Sequence, residues 1–229
     1  MTRVSSAVSR PSPNHDLRPA HVAVDMLVLH YTGLRTCADA LDRLCDSEAK
    51  VSAHYLIDED GTTYALVAED RRAWHAGVSF WRGSHDVNAR SLGIELVNPG
   101  HEFGYRAFPE AQMRALLELG QGLLARHAIP PRNVVGHSDV APARKQDPGE
   151  LFDWPRLAQR GIGLWPDKVA PVAASEADLL AMLGAYGYDT AEPKAAILAF
   201  QRHFHPSRRD GVADAETAGR IKTLLRLAC

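Results

Sequence analysis

The tightest constraint in this chain is residues 136–149, Gly-His-Ser-Asp-Val-Ala-Pro-Ala-Arg-Lys-Gln-Asp-Pro-Gly. An imidazole (His137), an ammonium (Lys145) and a carboxylate (Asp147) fall close together in a segment punctuated by Gly and Pro. Val134 and Val135 before it read as the end of a buried strand. Pro148 and Gly149 rule out a continuing helix or strand. His137 therefore stands where a strand opens into a loop, and the same loop brings Asp147 back. Chemistry concentrates on loops that a rigid scaffold holds in place.

The rest of the chain supplies partners and a floor for that loop. Residues 26–30, Met-Leu-Val-Leu-His, predict a buried strand with His30 at its C-terminal end. Residues 36–50 carry Ala40, Leu41 and Leu44 at helical spacing. Residues 52–57 and 62–67 predict a hairpin about the turn Asp58-Glu-Asp-Gly61. The aromatic, Gly-rich stretch 72–91 has no clean period and is expected to lie over the site as an ordered loop. Residues 91–98 predict a strand. Residues 109–127 give the clearest helix, with Met113, Leu116, Leu117, Gly120, Leu123 and Leu124 on one stripe. A strand over 133–136 and a short helix over 152–160 close this part.

Composition changes near Trp165, and 166–175 reads as a linker. Three short helical patterns follow, marked by Leu179, Leu183 and Tyr186, by Ile197, Phe200 and Phe204, and by Ala218, Ile221 and Leu224. Each is too short to stand alone; packed together they make a small three-helix module. Residues 1–20 read as an arm with little structure of its own.

At 229 residues with 45% hydrophobic content, the chain suits one medium and one small globular domain. A net charge of -2 points away from nucleic acid. No apolar run approaches the roughly 20 residues of a membrane span. The first 13 residues are Ser- and Pro-rich and do not read as a secretory signal. The three cysteines are an odd number. Cys37 and Cys45, expected on one helix roughly 12 Å apart, are too distant to bridge. Free thiols and the missing signal both lead to the expectation of a cytoplasmic protein.

His30, His137 and Asp147 qualify by type and placement as metal ligands. Two neutral imidazoles and a carboxylate make an open zinc site with water in the fourth position. Any one of these histidines alone is more often a hydrogen-bonded structural residue, but here two end strands and one shares a loop with the carboxylate. Glu95 is the second anomaly. In Leu92-Gly-Ile-Glu-Leu-Val97 both strand faces look apolar, so its carboxylate is costly unless partnered. Desolvation would bring it toward the range a general base needs. The alternative is a solvated face of an edge strand. Lys145 is placed to stabilise a developing oxyanion, or else is an ordinary surface lysine. His54, Trp74, His75 and Asn98 are candidates to line a substrate groove, with core packing as the alternative for Trp74.

These stretches together resemble a known family. Val51-Ser-Ala-His-Tyr-Leu-Ile57 with Asp60-Gly61, Trp74-His-Ala-Gly77, Leu92-Gly-Ile-Glu-Leu-Val-Asn98 and Gly136-His-Ser-Asp-Val-Ala-Pro142 with Lys145-Gln-Asp-Pro148 look like the zinc N-acetylmuramoyl-L-alanine amidases of the amidase-2 type. That family shares its fold with peptidoglycan recognition proteins. The likeness covers about residues 20–162. It implies an α/β (α+β) fold, a central mixed β-sheet flanked by helices. It also implies one Zn2+ held by His30, His137 and Asp147, with Glu95 and Lys145 as the catalytic pair. Ala199-Phe-Gln-Arg-His-Phe204 and Asp210-Gly-Val-Ala-Asp-Ala-Glu-Thr217 resemble a three-helix peptidoglycan-binding domain.

The expected organisation is an arm (1–20), a zinc amidase domain (21–163), a linker (164–174) and a peptidoglycan-binding-like domain (175–229). The resemblance implies hydrolysis of the amide between N-acetylmuramic acid, including its 1,6-anhydro form, and L-Ala of the stem peptide. The partners would be muropeptides, in recycling or turnover of the bacterial cell wall. The rival expectation is a muropeptide-binding module without catalysis, as in recognition proteins of this fold. The presence of all three ligand positions together with Glu95 and Lys145 favours the enzyme.

Overall fold

The computed structural model describes residues 7–228. Residues 1–6 of the expected arm and Cys229 lie outside the described residues. The elements in chain order are strands β1 (Val8–Ser9), β2 (His15–Leu17) and β3 (Met26–Tyr31), helix α1 (Cys37–Cys45), and strands β4 (Tyr55–Ile57), β5 (Thr63–Ala65) and β6 (Arg71–Ala73). Then come helix α2 (Val87–Arg90), strand β7 (Ser91–Leu96), helices α3 (Gly100–Phe103) and α4 (Glu110–His127), and strand β8 (Val134–Gly136). Helices α5 (His137–Val140), α6 (Trp154–Ala158), α7 (Glu176–Tyr186), α8 (Pro193–Phe204) and α9 (Ala215–Leu227) complete the chain.

The central sheet is mixed, in the order β1-β5-β4-β7-β3-β8. β3 runs parallel to both β7 and β8, β4 is parallel to β7, and the hairpin β4–β5 is antiparallel. Side chains alternate across a strand with period two, so β3 divides its residues between two layers. Leu27 and Leu29 join Leu92, Ile94 and Leu96 of β7 in a core with Met113, Leu116 and Leu123 of α4. Pro109 precedes α4, whose buried face holds the expected Met113, Leu116, Leu117, Gly120 and Leu123 and also Gln112 and Leu119, while the expected Leu124 is half-buried.

The opposite face has two covers. Ala40 and Leu44 of α1 pack over Leu56 of β4. Met26 and Val28 of β3 and Val135 of β8 pack with Trp81 and with residues of α7, α8 and α9, among them Leu183, Phe200 and Ile221. The three C-terminal helices thus share a buried core with the sheet. Cys37 and Cys45 are both free. Among the described residues, no helix is long and apolar enough to cross a membrane.

Two expectations are corrected. The arm is strapped to the domain rather than loose. β1 adds to the sheet edge beside β5, and β2 pairs with β6. Ser12 Oγ donates to the Leu44 carbonyl at 2.5 Å, and Asn14 Nδ2 donates to the carbonyls of Asp46 and Val51 at 2.8 and 2.9 Å. A short polar segment lacks the apolar pattern that would announce a strand, so these long-range pairings leave no local signal. The stretch 72–91, expected as one loop, begins in β6, passes through α2 and ends on the first residue of β7.

Candidate metal centre and amidase site

The site forms at the C-terminal ends of β3, β7 and β8, where parallel strands of α/β sheets usually present ligands. The register pairs His30 of β3 with Glu95 of β7, so the two lie side by side on one face. It pairs Leu29 with Gly136 of β8, so His137 follows directly beyond the sheet. The loop then returns along the same strand end. A Cβ at Gly136 would stand 2.7 Å from Pro148 Cδ, so only glycine admits this close return. The Ser138 amide donates to the Asp147 carbonyl at 2.9 Å, closing the loop.

His30, His137 and Asp147 form a buried triangle. His30 Nδ1, His137 Nδ1 and Asp147 Oδ2 each lie 3.0 Å from the other two. The outer partners assign the tautomers. Ser91 Oγ lies 2.7 Å from the Val87 carbonyl, which only accepts, so Ser91 donates there. Its oxygen then accepts from His75 Nε2–H at 3.0 Å, which leaves His75 Nδ1 to accept from His30 Nε2–H at 3.1 Å. His137 Nε2 likewise faces the Ala76 carbonyl at 3.0 Å and carries the proton. In that arrangement each Nδ1 presents a lone pair to the Asp147 oxygen. Three acceptor atoms converge with no proton among them, which is an arrangement a cation relieves. Ligands about 2.0 Å from a tetrahedral zinc sit roughly 3.3 Å apart, close to this triangle.

Electrostatics agree with that chemistry. Burial, with the neighbouring His137, lowers the His30 pKa to about 4, so its ring is neutral at neutral pH. Burial also holds His75 well below the usual imidazole value. Burial would raise the Asp147 pKa, but its closeness to the His137 and His30 imidazoles leaves it lowered, an anionic ligand. Glu95 is 9% exposed, and its Oε2 has no hydrogen-bond partner. Burial, then repulsion from Asp147, raises its pKa well above the ordinary value, against the pull of Lys145. A cation in the triangle would draw it back down. A cavity of about 370 Å³ opens onto the triangle and Glu95, lined also by Tyr31, Leu44, Arg144 and the half-buried Lys145.

The other expected groove residues divide. His75 lines the cavity and orients His30; its ring covers Gly93, where a Cβ would stand 2.5 Å from Cγ of the imidazole. His54 and Asn98 are corrected, because both are fully buried and occupied within the fold. His54 Nδ1 accepts from the Gly93 amide at 2.9 Å, and its Nε2 faces the Arg71 carbonyl and Arg18. Asn98 Nδ2 donates to the Arg106 carbonyl at 2.8 Å, and its Oδ1 accepts from the Gly100 amide. Trp74 lies outside the cavity lining, with its indole Nε1–H donated to Asp16 at 2.7 Å.

Two contributors escaped the sequence reading. Arg144 lines the cavity and donates to the carbonyls of Ala76 and Val78, fastening the loop after His75. Asp139, inside the Gly-His-Ser-Asp motif, is fully buried and accepts the Gly136 amide at 2.7 Å. Its position in the motif was the available signal.

Comparison with known proteins agrees with this geometry. Residues 20–150 match the family described as N-acetylmuramoyl-L-alanine amidase. N-acetylmuramoyl-L-alanine amidase AmiD of Escherichia coli K12 is 39% identical over 90% of this chain and 84% of its own length. The structure of E. coli AmiD in complex with the substrate anhydro-N-acetylmuramic acid-L-Ala-D-gamma-Glu-L-Lys superposes with a TM-score of 0.81, covering 92% of this chain and 93% of that one. AmpDh3 of Pseudomonas aeruginosa superposes with the same TM-score of 0.81 at 37% identity, covering 89% of this chain and 92% of that one. The fold is therefore that of the cell-wall amidases. The chain belongs to the N-acetylmuramoyl-L-alanine amidase family.

Proposed function

We propose that this amidase is zinc-dependent and cleaves the bond between the lactyl carbonyl of N-acetylmuramic acid and L-Ala of the stem peptide, 1,6-anhydro fragments included. The observation that carries the metal is the triangle of three proton-free acceptor atoms at 3.0 Å. His30, His137 and Asp147 would hold the zinc. When bound, zinc lowers the pKa of a water and polarises a carbonyl.

The remaining work falls to this chain's own groups. Glu95, beside His30 with a free carboxylate oxygen, takes a proton from the attacking water and passes one to the departing L-Ala nitrogen. Lys145 reaches into the cavity and offsets the negative charge that grows on the carbonyl oxygen. His75 holds the His30 ring in the tautomer the metal needs. The substrate class follows from relatives whose names and complexes carry anhydro-muramyl peptides.

The division into an amidase unit (21–163) and a helical module (175–229) belongs to the same reading, as does a cytoplasmic setting. Fractionation of cells carrying the tagged full chain tests the setting, and recovery in the periplasm would overturn it. The activity is tested by mass spectrometry of products from a defined disaccharide-tetrapeptide and its anhydro form. Free tetrapeptide, lost on chelation and restored by zinc, is expected. No cleavage of either substrate by zinc-loaded protein would move the function to muropeptide binding.

A further inference from the structure

The metal loop has a second carboxylate on the side away from the cavity. Asp139 is fully buried, yet no arginine or lysine pairs with it among the described residues. Hydrogen bonds meet its burial cost instead. Oδ2 accepts the Gly136 amide at 2.7 Å and His203 Nδ1 at 2.7 Å; Oδ1 accepts the Tyr188 hydroxyl at 2.6 Å. Two of the three donors therefore come from the C-terminal helical region, 49 and 64 residues away in sequence.

Both donors are rigidly held. His203, 3% exposed, stacks on Trp154 and on Phe204 with ring centroids 3.7 Å apart in each case. Tyr188, 2% exposed, packs edge-on against Trp81 at 5.2 Å. Burial beside Asp139 pushes the Tyr188 phenol well above its usual pKa, so it remains a donor.

Asp139 in turn holds the backbone that carries the ligands. Gly136 directly precedes His137, and the Ser138 amide binds the Asp147 carbonyl. A carboxylate that loses one of three short bonds turns toward another donor, and the Gly136 amide moves with it. Metal sites tolerate ligand displacements of only about 0.5 Å.

We propose that Tyr188 and His203 are positioning residues for the metal site, through which the C-terminal helices set its affinity by way of Asp139. The inference rests on the zinc reading given above. It assigns the C-terminal region a task in the amidase site that is separate from any grip on glycan.

The test uses the full chain with Tyr188→Phe, His203→Ala and His203→Asn. Asparagine offers a donor near the position of Nδ1. Leu224→Ala, buried in the same helical core without touching Asp139, is the control for general loosening. Zinc affinity is measured by competition with a chromophoric chelator, and ligand geometry by the visible spectrum of the cobalt-substituted protein. Thermal midpoints are recorded alongside.

Tyr188→Phe and His203→Ala are expected to weaken zinc about tenfold or more and to shift the cobalt bands. His203→Asn should recover most of the affinity, and Leu224→Ala should lower the midpoint with zinc affinity unchanged. Zinc affinity within about twofold of the parent in Tyr188→Phe and His203→Ala, with unmoved cobalt bands, would overturn the proposal. So would an equal loss in Leu224→Ala. Failure of the parent chain itself to take up zinc would overturn the underlying metal reading instead.

Discussion

On β3, Leu27 and Leu29 enter the core under α4, while Met26, Val28 and His30 turn to the opposite face. The α4 face is closed by that long helix with α6 beside it, through Trp154 and Leu157, and its clustered side chains are apolar along β3 and β7. The other face is closed from two sides, by α1 over β4 and by the C-terminal helices over β3 and β8. The strip between those covers holds His30 and Glu95 in register. The comparison teaches how one strand serves both packing and chemistry. A continuous cover makes stability, whereas a divided cover leaves a desolvated gap in which polar groups acquire unusual proton affinities. The imidazoles in that gap are held by partners, in the relay from Ser91 through His75 to His30, while Glu95 keeps an oxygen unpartnered.

Substitutions on the two faces should therefore fail differently. The largest effect is expected from His30→Ala, which removes a corner of the triangle and should reduce both zinc content and turnover to background. Retained turnover at a normal zinc content would break the comparison. Leu116→Ala, on the α4 side, should cost about 2–5 kcal/mol of stability through a core cavity, with turnover per folded molecule unchanged; denaturant titration with parallel assays checks this. His75→Ala should weaken zinc about 10–100-fold by freeing the His30 ring, as chelator competition would show.

The smallest effect concerns acid stability. Burial lowers the His54 pKa to about 3, with a further push from Arg18 against the opposing Arg71 carbonyl. Below its unfolded value near 6.5, the unfolded chain binds a proton that the folded chain refuses. This group therefore costs stability progressively as pH falls from about 6.5 toward 3. In metal-free protein, His54→Asn should flatten that acid slope while retaining an acceptor for the Gly93 amide. An unchanged slope would show that the buried ring titrates elsewhere.

Much of this contrast was legible in the residues. Residues 26–30 and 91–98 read as strands, Glu95 stood out as a carboxylate among apolar neighbours, and the stripe from Met113 to Leu124 announced α4. The strand-end positions of His30 and His137, and the loop return of Asp147, marked the three candidate ligands in the sequence. What stayed hidden depended on partners far along the chain. Alternation placed His54 opposite Ala53 and Tyr55 but carried no word of Arg18 or the Arg71 carbonyl, which enclose it. Asn98 ended a predicted strand, yet its amide closes a backbone turn instead of meeting a ligand. Asp139 was visible as a motif residue, but Tyr188 and His203 are too distant in sequence for any local pattern to join them to it.

The central claim is that the triangle holds the metal while Glu95 moves the proton. Glu95→Gln separates the two most directly, measured as zinc per chain and as turnover of an anhydro-muramyl peptide on one preparation. The account predicts one zinc per chain with turnover reduced by about 10²–10⁴-fold. Full turnover, or loss of the zinc along with the activity, would contradict it.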